Sequence, residues 1–261
     1  MCTTCRGSLS RRRFGQSLLA VTTFPACVAG GGETVVDPRM RLVVPPGPPR
    51  SVALTLDACG GGADMRVISL LLERSIPATI FVTALWLQAN PSTLALLRAR
   101  PDLFSLQNHG EHHVPPVLGQ RRIYGLAVAG TLDAVRQEVD AGAAAVVAAG
   151  APRPTWYRGA TALYSEAALQ AIEAAGFRIA AYSLNADRGA SLPAASVAAR
   201  VAAAVSGDII IGHINQPHRQ SGAGLAAGIA ELHRAGAAFV TLDALPVTKL
   251  DCRRGHGELV A

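Results

Sequence analysis

Apolar and polar positions follow two rhythms along the chain, and the rhythms take turns. From residue 51, "SVALTLDA" is a β-rich run that predicts a strand, and "MRVISLLLERS" then repeats its apolar residues at helical spacing. "ATIFVTALWL" reads as a second strand and "PSTLALLRARP" as a helix with proline at its start. "LFSLQN" predicts another strand, and "TLDAVRQEVDAGAAAVVAAG" a long helix opened by threonine and closed by glycine. The series continues through "TWYRG", the helix "SEAALQAIEAAG", the strand "FRIAAYSL", a helix around "PAASVAARVAAAV", the strand "DIIIGH", the helix "AGLAAGIAELHRAG" and the strand "AFVTLDAL". Such alternation predicts an α/β fold with a parallel sheet and crossover helices; an open doubly wound sheet and a closed barrel both satisfy it.

The flanks read differently. Residues 30–50, ending in "VVPPGPPR", form a Pro/Gly-rich lead-in rather than a packed element. The tail "KLDCRRGHGELVA", residues 249–261, reads as a solvated terminus. Residues 51–248 are left as one domain. At the N-terminus, "SRRRFGQ" resembles a twin-arginine export signal, and the apolar run after it is too short and mixed to span a membrane. Residues 1–29 are therefore expected to be an export signal cleaved after Ala29, with a periplasmic mature chain that has no transmembrane segment. Lipid attachment at Cys27 is the weaker alternative, because "FPAC" lacks the usual leucine of a lipobox.

Composition narrows the function classes. Half of the 261 residues are hydrophobic and 16% are charged, which is a core-forming balance. The net charge of +6 falls to +2 once Arg6, Arg11, Arg12 and Arg13, which precede every acidic residue, are set aside. No basic stripe remains, and aromatic residues make up only 5%, so a nucleic-acid partner is not expected. Cys59 and Cys252 survive removal of the leader and are read as unpaired thiols, although an oxidising compartment would permit a bridge between them.

In parallel α/β folds, chemistry collects where strands end. Asp57 closes the first strand, "QNHGEHH" follows the strand ending at Leu106, and Arg158 ends "TWYR". Asn185 and Asp187 follow "AAYSL", and His213 closes "DIIIGH". His109 and His113 are four residues apart, so both imidazoles could face one point; on spacing alone His112 could replace His113. Two histidines, a carboxylate and an open position make a common catalytic zinc arrangement.

Taken in order, these motifs resemble the polysaccharide deacetylase family, carbohydrate esterase family 4, from about Val52 to Leu245. "TLDAC" matches the first half of the family's "TFDDG", and "NHGEHHVP" matches its Asn-His-x-x-x-His motif followed closely by proline. "YRGATALY" keeps the arginine of "RPPY" without the prolines, "NADRG" lies where "DxxDW" is expected, and "GDIIIGH" matches the strand ending in histidine. The resemblance implies a distorted (β/α) barrel and a divalent metal, zinc by preference, held by His109 and His113. It also implies Asp57 as base, Arg158 orienting it and His213 as acid; Asp187 could keep that histidine charged. The backbone N–H near Thr161 would face the oxyanion.

One departure matters. Where the family has a second, metal-binding aspartate, this chain has Ala58. Asp64 is the expected replacement, since the glycines before it would let it curl back; Cys59 is the second candidate, and capping the helix at Met65 is the plain alternative role for Asp64. The activity implied is removal of N-acetyl groups from an N-acetylated polysaccharide or oligosaccharide. Ala58 leaves room for an exported carbohydrate-binding protein with a silent site, and the altered third and fourth motifs leave room for an amidohydrolase acting on a small amide or imide.

Overall fold

The structure, a computed structural model, describes residues 34–47 and 49–254 and the backbone of 259–260. The expected export signal, with its cleavage site and Cys27, lies outside the described residues. In chain order the elements begin with β1 (Val35–Arg39), β2 (Ser51–Ala58), α1 (Met65–Glu73), β3 (Ala78–Val82), α2 (Ala84–Ala89) and α3 (Pro91–Arg98). Next come β4 (Phe104–Asn108), β5 (Arg122–Ile123), β6 (Leu126–Ala127), α4 (Leu132–Ala148), β7 (Trp156–Tyr157) and β8 (Tyr164–Ser165). Then follow α5 (Glu166–Ala174), β9 (Arg178–Ile179), β10 (Leu184–Asn185), α6 (Ala194–Ala202) and β11 (Ile209–His213). The series ends with α7 (Gln220–Arg234), β12 (Ala238–Val240), β13 (Asp251–Arg254) and β14 (Leu259–Val260).

The main sheet has eight strands, ordered β10-β11-β2-β3-β4-β7-β9 with β12 also paired to β2, and its ladders are parallel. It curls into a half-barrel whose edge strands β9 and β10 stay apart, so the expected barrel is an incomplete one. β2 is the hub. β11 runs along one edge, while the other is shared by β12 at Ser51–Ala53 and β3 at Thr55–Ala58.

Strand alternation sorts its side chains. Val52, Leu54, Leu56 and Ala58 pack with Ile68 and Leu71 of α1 and Leu225 and Ile229 of α7 on the helix side. Ala53, Phe81, Ile209 and Ile211 build the inner core. Asp57 and His213 continue that inner series, one step past the apolar residues.

The flanks differ from the sequence reading. β1, inside the supposed lead-in, pairs with β13, inside the supposed tail, and with β8. Burial of Val36 and Met40 to 3% exposure explains why the lead-in packs: it supplies apolar side chains as well as prolines. Cys59 is a free thiol, so it does not bridge to Cys252, and Cys252 is disulfide-bonded rather than unpaired. The run "ATIFVTALWL" breaks at Thr83, whose hydroxyl accepts from the Trp86 N–H and starts α2. "FRIAAYSL" keeps only short strands at each end. Among the described residues no helix is long and apolar enough to cross a membrane.

Candidate active site

β2 and β11 bring Asp57 and His213 into register as direct Cα partners at their C-terminal ends. Arg158 follows β7 and is fully buried. Its Nη1 donates to Asp57 Oδ1 at 2.8 Å, its Nε to the Ala180 carbonyl at 3.1 Å, and the guanidinium lies over the Phe81 ring. Burial by itself would raise the Asp57 carboxyl, but the positive charge of Arg158, with His109 and His213 behind it, holds it below the ordinary carboxylate value.

The opposite bias acts on His213. Asp187, fully buried, accepts from the His213 backbone N–H at 2.8 Å and from its Nδ1 at 2.9 Å. Burial disfavours the imidazolium, but Asp187 outweighs it and raises His213 well above the ordinary imidazole value. With Nδ1 committed to Asp187, Nε2 is the nitrogen left for other chemistry.

The histidine loop leaves β4 at Asn108. His109 Nδ1 donates to the Arg158 carbonyl at 2.6 Å, which orients the ring so that Nε2 faces Cys59 and Asp57. His113 reaches its place through a left-handed backbone conformation, φ 63°, and its ring meets that of His109 edge-on at 5.0 Å. His112, the spacing alternative, points elsewhere: its side chain is exposed and pairs with Glu111 at 3.1 Å.

Cys59 completes the group. Its Sγ lies 3.4 Å from His109 Nε2, and the ligand atoms of Cys59, His109 and His113 all lie within 4.8 Å of one another. Burial opposes ionisation of the thiol, but His109, with help from His113 and His213, holds it well below its ordinary value. One thiol and two imidazoles are a donor set suited to a zinc-like ion.

Asp64, the expected third ligand, is elsewhere. It is the N-cap of α1, accepting from the Arg66 N–H at 3.2 Å, and its two oxygens also take the Arg66 side chain at 2.8 and 2.5 Å. Its carboxylate packs against Gly222 so closely that a Cβ there would collide with it. The glycines do supply freedom, but the helix N-terminus and a guanidinium satisfy Asp64 where it stands.

Residue type and periodicity had not singled out Glu138. Its buried carboxylate accepts the backbone N–H groups of His112 at 2.9 Å and Val114 at 3.1 Å, pinning the loop that carries His113. The signal was present: Glu138 falls on the buried stripe of α4 beside Val135, Val139 and Gly142. Thr161 lies in a short turn past Arg158 with φ 68°, followed by Ala162 at 55°; both are sparsely populated conformations for residues with a Cβ, and strain of this kind clusters at functional sites.

The site thus presents a carboxylate biased to be ionised, an imidazole biased to be protonated, and a three-donor cluster beside them. Opposed biases of this kind are what an acid–base pair would need.

The polysaccharide deacetylase family profile matches residues 45–180. No curated protein matches the chain in sequence. Among solved structures, a family 4 carbohydrate esterase pseudoenzyme from Bacillus anthracis is similar at TM-score 0.61 and 15% identity, covering 75% of this chain and 65% of that one. A family 4 carbohydrate esterase from Streptomyces lividans in complex with acetate is similar at TM-score 0.57 and 19% identity, covering 72% and 91%. A family 4 carbohydrate esterase from Bacillus subtilis is similar at TM-score 0.58 and 20% identity, covering 75% and 80%. At these identities the structural likeness establishes the fold alone.

Proposed function

Since this chain belongs to the polysaccharide deacetylase family, we propose that it is a metal-dependent hydrolase that removes N-acetyl groups from an N-acetylated amino-sugar polymer or oligomer. The observation that carries the reading is the opposed pair: Asp57 gripped by Arg158 and His213 gripped by Asp187, in register across two adjacent strands.

The cluster of His109, His113 and Cys59 would hold the ion, with zinc the proposed identity. When bound, such an ion supplies Lewis-acid polarisation of a carbonyl and makes water acidic enough to react near neutral pH. Asp57 does the base's work: one oxygen is taken by Arg158, and the other, Oδ2, lies 3.9 Å from His109 Nε2 and accepts the proton of the attacking water. His213 does the acid's work. Its Nε2–H is given to the departing amine as the C–N bond breaks, and acetate and a free amino sugar result. Thr161 is the candidate to offer a backbone N–H to the oxyanion, on the turn that follows Arg158. The twin-arginine-like segment at the N-terminus supports an exported, periplasmic site of action.

A silent, carbohydrate-binding version of the fold is the second reading, favoured by Ala58 and by the likeness to a pseudoenzyme. The intact base, acid and both partners that bias them argue for catalysis, since sugar binding requires none of these arrangements. Acetate release from N-acetylglucosamine oligomers, measured beside a panel of small amides and imides, tests the proposal. Release from the oligomers supports it. Turnover confined to the small amides would make the chain an amidohydrolase, and glycan binding without turnover on either would make it a binding protein.

A further inference from the structure

Resting on the deacetylase reading, we infer that Cys59 enters the metal centre as a thiolate ligand in place of a carboxylate, and that the centre thereby selects thiophilic ions such as zinc and cobalt over magnesium, manganese and calcium. Ala58 can donate nothing and packs into the helix-side core, and Asp64 is consumed by the start of α1 and by Arg66. Asp57 Oδ2 also stands 3.9 Å from His109 Nε2, but Arg158 holds that carboxylate through its other oxygen, and the Cys59 thiol is nearer to His109 and groups with both histidines. The Cys59–His109 spacing matches that of two ligands on one tetrahedral ion. Zn–S and Zn–N bonds of about 2.3 and 2.0–2.1 Å put the donor atoms roughly 3.5 Å apart, and Sγ stands 3.4 Å from His109 Nε2.

The loop bearing the thiol is built to hold still. Its glycines suggest mobility, yet four consecutive carbonyls each accept a side-chain donor from another element. Thr83 Oγ1 donates to the Cys59 carbonyl at 2.7 Å and Asn215 Nδ2 to that of Gly60 at 2.8 Å. Asn90 Nδ2 donates to Gly61 and Trp86 Nε1 to Gly62, both at 2.9 Å. With strand β2 holding the chain on the N-terminal side of Cys59 and these bonds holding it from Cys59 onward, the ligand is positioned as a preorganised metal site requires. A thiolate keeps the single negative charge that a carboxylate would bring, so the net charge of the centre is preserved. Its softness is what changes: thiolate ligands favour zinc-like ions, whereas carboxylate and carbonyl oxygens suit magnesium, calcium and manganese.

Cobalt substitution of the full chain tests this without relying on turnover. Wild type loaded with Co(II) should show a near-ultraviolet sulfur-to-cobalt charge-transfer band, and bound metal should protect Cys59 from iodoacetamide in peptide mapping. Cys59→Asp should still bind cobalt through the histidines and the new carboxylate, lose the band, and gain manganese affinity relative to zinc by at least about tenfold. Cobalt bound to wild type without the band would overturn the thiolate assignment and leave the deacetylase reading standing. No metal bound after reconstitution would overturn both. Acetate release that survives chelation but is abolished by alkylation of Cys59 would make the thiol a nucleophile instead, and would also overturn the assignment.

Discussion

His109 and Arg158 are joined by a 2.6 Å hydrogen bond from the imidazole Nδ1–H to the arginine's backbone carbonyl, while the same arginine's side chain grips Asp57 at 2.8 Å. One residue thus orients a metal-ligand candidate through its main chain and favours the ionised form of the proposed base through its guanidinium. The two roles are separable by mutation.

Arg158→Ala keeps the carbonyl and removes the guanidinium. Breaking a buried pair by deleting one partner costs about 3–5 kcal/mol, so a large drop in the unfolding midpoint is expected. Turnover should collapse while metal stoichiometry, read by elemental analysis of the folded fraction, stays at the wild-type value. Loss of the metal in parallel would contradict the division of labour.

His213→Ala should lower kcat by about 10²–10⁴-fold, the range for a positioned general acid, with metal content unchanged. Metal lost together with activity would place His213 among the ligands rather than as the acid.

The pH profile follows from the two biases. Asp57 is lowered, so the base is competent from below the ordinary carboxylate value upward; His213 is raised well above the ordinary imidazole value, so the acid persists to higher pH. Activity should therefore span neutrality, with an alkaline limb beyond the usual imidazole range. Asp187→Asn should move that limb of kcat/KM to lower pH. The stability signs run the same way. The His213 contribution is fully present below the unfolded imidazole value and is lost as pH rises through the raised folded one. The Asp57 contribution is present above the unfolded carboxylate value and is lost as pH falls through the lowered folded one. An unchanged alkaline limb in the Asn variant would remove Asp187 from its role.

Glu138→Ala should orphan the backbone N–H groups of His112 and Val114. An unsatisfied buried donor costs about 1–3 kcal/mol, and groups that orient ligands typically change metal affinity by about 10–100-fold. Glu138→Gln, which keeps an acceptor, should recover most of both losses in denaturant melts and metal titrations.

Asp64→Ala should behave as the loss of a cap, about 0.5–2 kcal/mol, and leave metal content intact. Metal lost from this variant without unfolding would return Asp64 to the ligand set.

Much of this architecture was legible in the chain. Asp57, Arg158, Asp187 and His213 could be found because each follows a short apolar run, and a parallel sheet sends such residues to one edge. His109 and His113 were legible from their spacing, but His112 was eliminated only by the left-handed turn at His113, which no side-chain pattern announces. Asp64 misled for a physical reason. A carboxylate just before a helix is equally a cap and a mobile ligand until Arg66 and Gly222 are seen around it. The strands β1 and β13 escaped detection because β1 carries a proline and two charges in five residues and β13 three charges in four, and their pairing joins residues more than two hundred positions apart. Glu138 escaped because a glutamate between Arg136, Gln137 and Asp140 on a long helix looks solvated until its stripe is traced.

The most direct measurement is acetate release from an N-acetylglucosamine oligomer by one purified preparation, assayed as isolated, after chelation and after zinc is restored. The account predicts release that disappears with the metal and returns with it. Oligomer bound in all three states with no acetate released in any of them would contradict it.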